Sequence, residues 1–287
     1  MITGLMKALA RWPLPLLHAV GAPLGWLVFA ASPSYRRRFR ANAEQAGVAW
    51  PRARHAVAAG GRLMAELPPL WVPGASAGVL ARTRWEDGGL VEAALAAGRG
   101  IVFLTPHLGC FEVTAQSFAQ NFGARCPITV LYRPARKPWL RDLVEGARRR
   151  EHLDAAPATL AGVRQMLRAL RRGEAVGLLP DQVPPEGLGA WAPFFGKPAY
   201  TMTLAARLVQ QTGATVLLAW GERLARGRGY VVHVSALAEP LPGAASDPDG
   251  SQSAAAINRA MESLILQCPE QYLWGYHRYK APRALST

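Results

Sequence analysis

Apolar residues along this chain follow two alternating patterns. Ile101, Val102, Phe103 and Leu104 form an unbroken apolar run, so Gly100 to Thr105 reads as a buried strand; Pro106 and Gly109 then punctuate a turn, and Phe111 to Phe122 winds as a helix. The same alternation continues on both sides. Ala41 to Leu67 and Gly89 to Ala97 are predicted helices, Ile128 to Tyr132 a strand, and Pro138 to Arg150 a helix. Leu160, Val163, Leu167 and Leu170 recur at helical spacing before a strand over Ala175 to Leu179. A helix over Thr201 to Gln211, strands over Thr215 to Glu222 and Tyr230 to Val234, and a last helix carrying Ile257, Met261, Leu264 and Ile265 complete the pattern. Ser246 to Ser253 reads as a solvated loop. The expected class is α/β, with a single mixed sheet covered by helices.

The amino terminus departs from this rhythm. Trp12 to Ala31 carries no Asp, Glu, Lys or Arg, close to the roughly 20 apolar residues that cross a bilayer, and Arg36, Arg37, Arg38 and Arg40 follow at once. Pro13, Pro15, Gly21, Pro23 and Gly25 interrupt the segment, so a span and a broken helix in the membrane interface stand as equal readings, with a buried helix of a soluble domain as the third. The basic flank places everything after Tyr35 on the cytoplasmic side. Two regions result: an anchor over residues 1–35 and a body over 36–287.

Composition narrows what the body does. Half of the 287 residues are hydrophobic, enough for a large core. The net charge of +14 suits an anionic membrane, an acidic protein or nucleic acid. Cys110, Cys126 and Cys268 show neither paired nor metal-ligand spacing, and no glycine loop for phosphates is present, so neither metal nor cofactor is expected.

Polar residues gather where predicted strands end, which in open α/β sheets is the rim where ligands bind. His107 follows the Ile101 strand, and Glu112, in the first turn of the next helix, is placed to reach one imidazole nitrogen and leave the other free to take a proton from a hydroxyl. Arg133 follows the next strand and suits a phosphate, while Asp181 and Gln182 follow a third, so His107, Glu112, Arg133 and Asp181 are expected to converge. Cys110 reads either as a thiol nucleophile or as a small buried hydrophobe.

Taken together, His107-Leu108-Gly109-Cys110-Phe111-Glu112, Tyr132-Arg133-Pro134, Leu179-Pro180-Asp181-Gln182, Pro193-Phe194-Phe195-Gly196, Gln271-Tyr272-Leu273-Trp274 and His277-Arg278-Tyr279-Lys280 resemble, in order and spacing, the lipid A biosynthesis acyltransferases, the late acyltransferases of Gram-negative inner membranes. Phe111 stands where tryptophan is usual in them, Cys110 where asparagine or alanine often occurs, and two residues rather than one separate Trp274 from His277.

The resemblance implies a fold similar to the glycerol-3-phosphate acyltransferases and an acyltransferase body held at the cytoplasmic side of the bacterial inner membrane. It implies transfer of an acyl chain from acyl carrier protein to a hydroxyl of a lipid A precursor or related glycolipid. His107 and Glu112 are then the catalytic pair; Arg133, Asp181, Gln182, Phe194 and Phe195 bind substrate, the two phenylalanines being read either as wall of an acyl groove or as ordinary core. Arg136, Lys137, Arg141, Arg148 and Arg149 form a cationic stretch suited to the acidic carrier, with anionic membrane lipid competing for it. Backbone N–H groups near Gly109 are the expected oxyanion donors. A lysophospholipid or amino-acid lipid as acceptor, and an esterase or thioesterase releasing free fatty acid, remain as alternatives. Nucleic-acid binding explains the charge but neither the anchor nor the rim residues.

Overall fold

The computed structural model describes residues 2–132 and 150–284. Arg133, Arg136, Lys137, Arg141, Arg148 and Arg149, and nearly all of the helix expected over 138–150, lie outside the described residues. The strands are β1 (Thr83–Glu86), β2 (Ile101–Leu104), β3 (Ile128–Tyr132), β4 (Leu153–Pro157), β5 (Ala175–Leu178), β6 (Gly189–Phe194), β7 (Lys197–Met202), β8 (Thr215–Arg223) and β9 (Tyr230–Ala236). The helices are α1 (Ile2–Leu9), α2 (Leu14–Ala31), α3 (Pro33–Gln45), α4 (Trp50–Ala53), α5 (His55–Trp71), α6 (Ala77–Leu80), α7 (Gly88–Ala97), α8 (Phe111–Phe122), α9 (Leu160–Arg171), α10 (Leu204–Thr212) and α11 (Ser251–Gln267).

Seven strands make one mixed sheet in the order β1-β9-β8-β2-β5-β3-β4, parallel throughout except where β8 meets β9. Central β2 and β5 are buried at every position, which is why their sequences run apolar without alternation. Each face of the sheet carries its own core. Val102, Leu104, Val176 and Leu178 pack with Met166 and Leu170 on one side, while Ile101 and Phe103 pack with Val113 and Phe118 of α8 on the other.

Three local expectations are corrected. The helix expected over Ala41–Leu67 is broken, because Gly47 adopts φ 70° after α3 and α5 restarts at His55. Thr201 belongs to β7, half of a hairpin with β6 that periodicity missed, and α10 starts only at Leu204. The loop expected over Ser246–Ser253 ends in a helix start, where Asp247 accepts from the N–H groups of Gln252 (3.0 Å) and Ser253 (2.8 Å).

Helix α2 lies against α5 through small residues. A Cβ on Gly21 would stand 2.7 Å from the Gly61 carbonyl oxygen, so the two backbones approach this closely only because glycine is present. The opposite face of α2 is bare: Leu16, Val20, Leu24, Leu27 and Val28 are 41–63% exposed. Only 28% of Leu14–Ala31 is buried, whereas the core helix of a soluble domain is mostly buried.

Candidate active site

The carboxyl ends of β2 and β5 are neighbours in the sheet, and each runs straight into a polar turn. From β2 the chain passes through Thr105 and Pro106 to His107; from β5 it passes through Leu179 and Pro180 to Asp181 and Gln182. This adjacency brings together residues 74 positions apart. Asp181 Oδ1 lies 2.7 Å from His107 Nδ1, and Asp181 Oδ2 accepts from the His107 backbone N–H at 2.9 Å. The hydrogen bond expected from Glu112 is thus made by Asp181. Glu112 sits in the first turn of α8 and lines the same cavity as His107. Glu112 is committed to the helix that follows the loop, whereas Asp181, on the neighbouring strand end, lies within hydrogen-bond distance of the imidazole.

Asp181 is 2% exposed. Burial by itself pushes its carboxyl up, but the charge and two hydrogen bonds of His107, with Arg278 beyond, bring it below its ordinary value. An ionised Asp181 requires the proton on Nδ1. In the neutral ring Nε2 is then an acceptor, and the Gln182 amide nitrogen 2.9 Å away is placed to donate to it. The Tyr272 hydroxyl donates to Asp181 Oδ2 at 3.2 Å, and Phe111 packs edge-on to the imidazole with ring centroids 4.8 Å apart.

The His107 loop is strapped on both sides. Gly109 N–H donates to the Gln271 carbonyl (3.1 Å), Leu273 N–H to the His107 carbonyl (3.1 Å) and Cys110 N–H to the Gly221 carbonyl at the end of β8 (2.8 Å). Gly109 has φ 61°, and any Cβ there would collide with the Gly221 carbonyl oxygen, so the position requires glycine. The Gly109 and Cys110 N–H groups, two of those near Gly109, are thus spent on the scaffold. Cys110 is fully buried, and burial pushes its thiol well up, away from the thiolate a nucleophile needs.

Beneath the loop lies a buried ion pair that sequence reasoning did not single out. The Arg223 fork bonds both oxygens of Glu66 on α5, and its Nη2 also donates to the Gly109 carbonyl at 3.2 Å. His18 of α2 bonds the same Glu66. Tyr272 and Arg278 were visible as motif residues without a role. Arg278 ties the C-terminal segment to β7, donating to the Tyr200 carbonyl (2.7 Å) and Thr201 Oγ1 (2.6 Å).

A cavity of about 740 Å³ opens from His107 over the ends of β2, β3 and β5, walled by Phe103, Phe111, Phe118, Ile128, Val130 and Val163, with Glu112 and Gln182 at its polar end. That volume is in the range of sites that enclose a small-molecule ligand. Phe194 and Phe195 are not on its wall. Pro193 and Phe194 end β6 and Phe195-Gly196 is the two-residue turn of the β6–β7 hairpin, with Phe195 (φ 46°) and Gly196 (φ 73°) both left-handed, and Phe194 is buried beneath the Arg278 guanidinium. Among the described residues, no group of three or more His, Cys, Asp or Glu is placed to hold a metal ion.

The lipid A biosynthesis lauroyltransferase of Escherichia coli (strain K12) is 30% identical over 187 residues, 63% of this chain and 55% of that protein. The lipid A biosynthesis palmitoleoyltransferase of the same strain is 28% identical over 185 residues, 63% of this chain and 56% of that protein. A lipid A biosynthesis acyltransferase of Haemophilus influenzae is 26% identical over 184 residues, 64% of this chain and 55% of that protein. The matched stretches thus span about half the length of these relatives. The profile of bacterial lipid A biosynthesis acyltransferases, by contrast, matches residues 1–281, taking in α2, the His107 loop, the Asp181 turn and the Tyr272 strap alike. The chain belongs to the bacterial lipid A biosynthesis acyltransferase family.

Proposed function

We propose that this protein transfers a fatty acyl chain from an acyl carrier protein thioester to a hydroxyl of a lipid A precursor or related glycolipid, at a membrane surface. The observation that carries the reading is His107 itself: its Nδ1–H is held by a buried carboxylate, and the same imidazole lines a large apolar cavity. Nε2 takes the proton of the acceptor hydroxyl as the oxygen attacks the thioester carbonyl; the C–O bond forms, the C–S bond breaks, and the imidazolium returns the proton to the leaving thiolate. The acceptor hydroxyl replaces the Gln182 amide at Nε2. Asp181 fixes the tautomer and stabilises the imidazolium, and Glu112, on the cavity wall, adds negative charge near the same ring. The acyl chain lies in the cavity. Acyl-transfer names on relatives that differ in chain, lauroyl and palmitoleoyl, agree with a site whose depth sets the chain.

Membrane attachment belongs to α2. A helix buried on one side and bare and apolar on the other has no polar face to turn to water, so its outer side faces lipid. The arginines of α3 that follow then lie on the cytoplasmic side, with the body.

The test is a transfer assay with purified protein in detergent, labelled acyl carrier protein thioesters and an under-acylated glycolipid extract, run beside His107→Ala. Label in the glycolipid with the unmodified protein alone supports the reading. Label in phospholipid moves the acceptor, and label released only as free fatty acid makes the protein a thioesterase.

A further inference from the structure

Two cavities meet at His107. Besides the large apolar one, a smaller cavity of about 240 Å³ is lined by Tyr35 of α3 and by Tyr272, Gly275 and Tyr276 of the C-terminal segment, and among the described residues it shares His107 and Gln182 alone with its neighbour. Its surroundings are cationic. Arg38, one turn beyond Tyr35, donates from Nε to the Gly275 carbonyl at 3.3 Å, and Lys280 Nζ stands 5.0 Å from the centre of the Tyr276 ring. His277, exposed beside Tyr276, has its imidazole held below its usual value by burial and by Arg38, Lys280 and Lys197, all cations.

Arg38, Lys197 and Lys280 form no ion pair among the described residues, and all three act on the His277 imidazole. Clustered positive charge without counter-ions, beside residues that line a cavity reaching an active-site histidine, fits a phosphate held in charge-assisted hydrogen bonds.

We infer that the smaller cavity is the entrance for the acceptor, and that Arg38, His277 and Lys280 bind a phosphate group on the acceptor lipid. This rests on the acyl-transfer reading above. The apolar chain of the donor needs the large cavity, so the acceptor hydroxyl reaches Nε2 from the other side of Gln182. Within the smaller cavity the tyrosines flank the sugar, and the cations around it fix the register that presents one hydroxyl to His107.

The experiment measures KM separately for the acyl carrier protein thioester and for two acceptors, an under-acylated glycolipid bearing a phosphate monoester and the same lipid after phosphatase treatment. The unmodified protein is compared with Lys280→Ala, Lys280→Glu and His277→Ala. Removing the phosphate is expected to raise the acceptor KM about tenfold, the worth of one hydrogen bond to a charged group. Lys280→Glu is expected to raise the KM of the phosphorylated acceptor to a similar degree and to erase the preference between the two lipids, with donor KM unmoved. Two outcomes overturn the assignment while leaving acyl transfer intact: a phosphate preference undiminished in all three variants, or a rise in donor KM, which gives the cations to the phosphodiester of the carrier's arm. Absence of transfer by the unmodified protein to any lipid sinks the acyl-transfer reading and this one with it.

Discussion

Asp181 is bonded by the His107 backbone, the His107 ring and the Tyr272 hydroxyl, so its two oxygens are not equivalent. Oδ2 accepts from two donors that have no alternative partner in this geometry, which obliges any amide replacement to keep its oxygen there and present its NH₂ group to Nδ1. Asp181→Asn is therefore expected to move the imidazole proton to Nε2, the wrong tautomer for a base, and to lower kcat about 10²–10⁴-fold with little change in KM. Glu112→Gln loses activity as well, but keeps the proton on Nδ1. Imidazole 15N shifts separate the two variants, and an Nδ1-protonated ring in Asp181→Asn would overturn the role given to Asp181. Tyr272→Phe removes one bond to Oδ2 without emptying space, so a loss smaller than that of Asp181→Asn is expected, read as kcat in the same assay.

At the scale of elements, the His107 loop is held by its neighbours, with Arg223 joining α5 to the loop and His18 joining α2 to the same glutamate. Burial by itself would raise the Glu66 carboxyl, but the Arg223 charge and fork, with the His18 bond, bring it down to about 2. Because Glu66 binds its proton more weakly when folded, the stability it contributes, about 3 kcal/mol, is complete above its ordinary pKa of 4.5 and is lost as pH falls towards about 2. Glu66→Gln leaves Arg223 buried without a counter-charge and is expected to cost about 3–5 kcal/mol, and to flatten the acid limb of a denaturation series between pH 4.5 and 2. An unchanged acid limb would remove Glu66 from that account. None of this was legible in the sequence, because Glu66 and Arg223 are 157 positions apart and each looks like a surface charge on its own element. What was legible had a local cause. The buried strands Ile101–Leu104 and Ala175–Leu178 announce themselves as apolar runs, and their polar ends, His107 and Asp181, mark the rim. That Asp181 rather than Glu112 bonds His107 depends on β5 lying next to β2, a fact of strand order that periodicity does not contain. The β6–β7 hairpin was hidden for another reason: Pro193, Pro198 and the small residues Gly189, Ala190, Ala192 and Ala199 obscure the alternation, and Phe194-Phe195 reads as lining when it closes the hairpin.

For the whole molecule, the proposed function brings substrate from lipid, past an apolar helix into an apolar cavity, and each part can be tested apart from the other. Leu24→Glu with Leu27→Glu puts two charges on the bare face of α2, away from Gly21, Gly25 and the His18–Glu66 contact; membrane retention in a salt-washed fraction is expected to fall while the fold persists, and full retention would deny α2 its place in lipid. The cavity is tested at its floor. Gly177 sits in β5 in register with Phe103 of β2 on one side and Val130 of β3 on the other, so all three face the same side of the sheet, and all three line the cavity. A Cβ at Gly177 would lie 3.2 Å from Val130 Cγ1, so a larger side chain cannot settle against the strand and must project into the space above it. Gly177→Val therefore removes room from the cavity where it meets the sheet, without substituting His107 or Asp181. The expected result is a shift in kcat/KM towards shorter acyl thioesters, by about tenfold or more for each methylene displaced, with transfer of the shortest chains preserved. A uniform loss for every chain length would mean that the substitution disturbs the sheet; an unchanged profile would mean that the acyl chain does not reach Gly177, and that chain length is set nearer to His107.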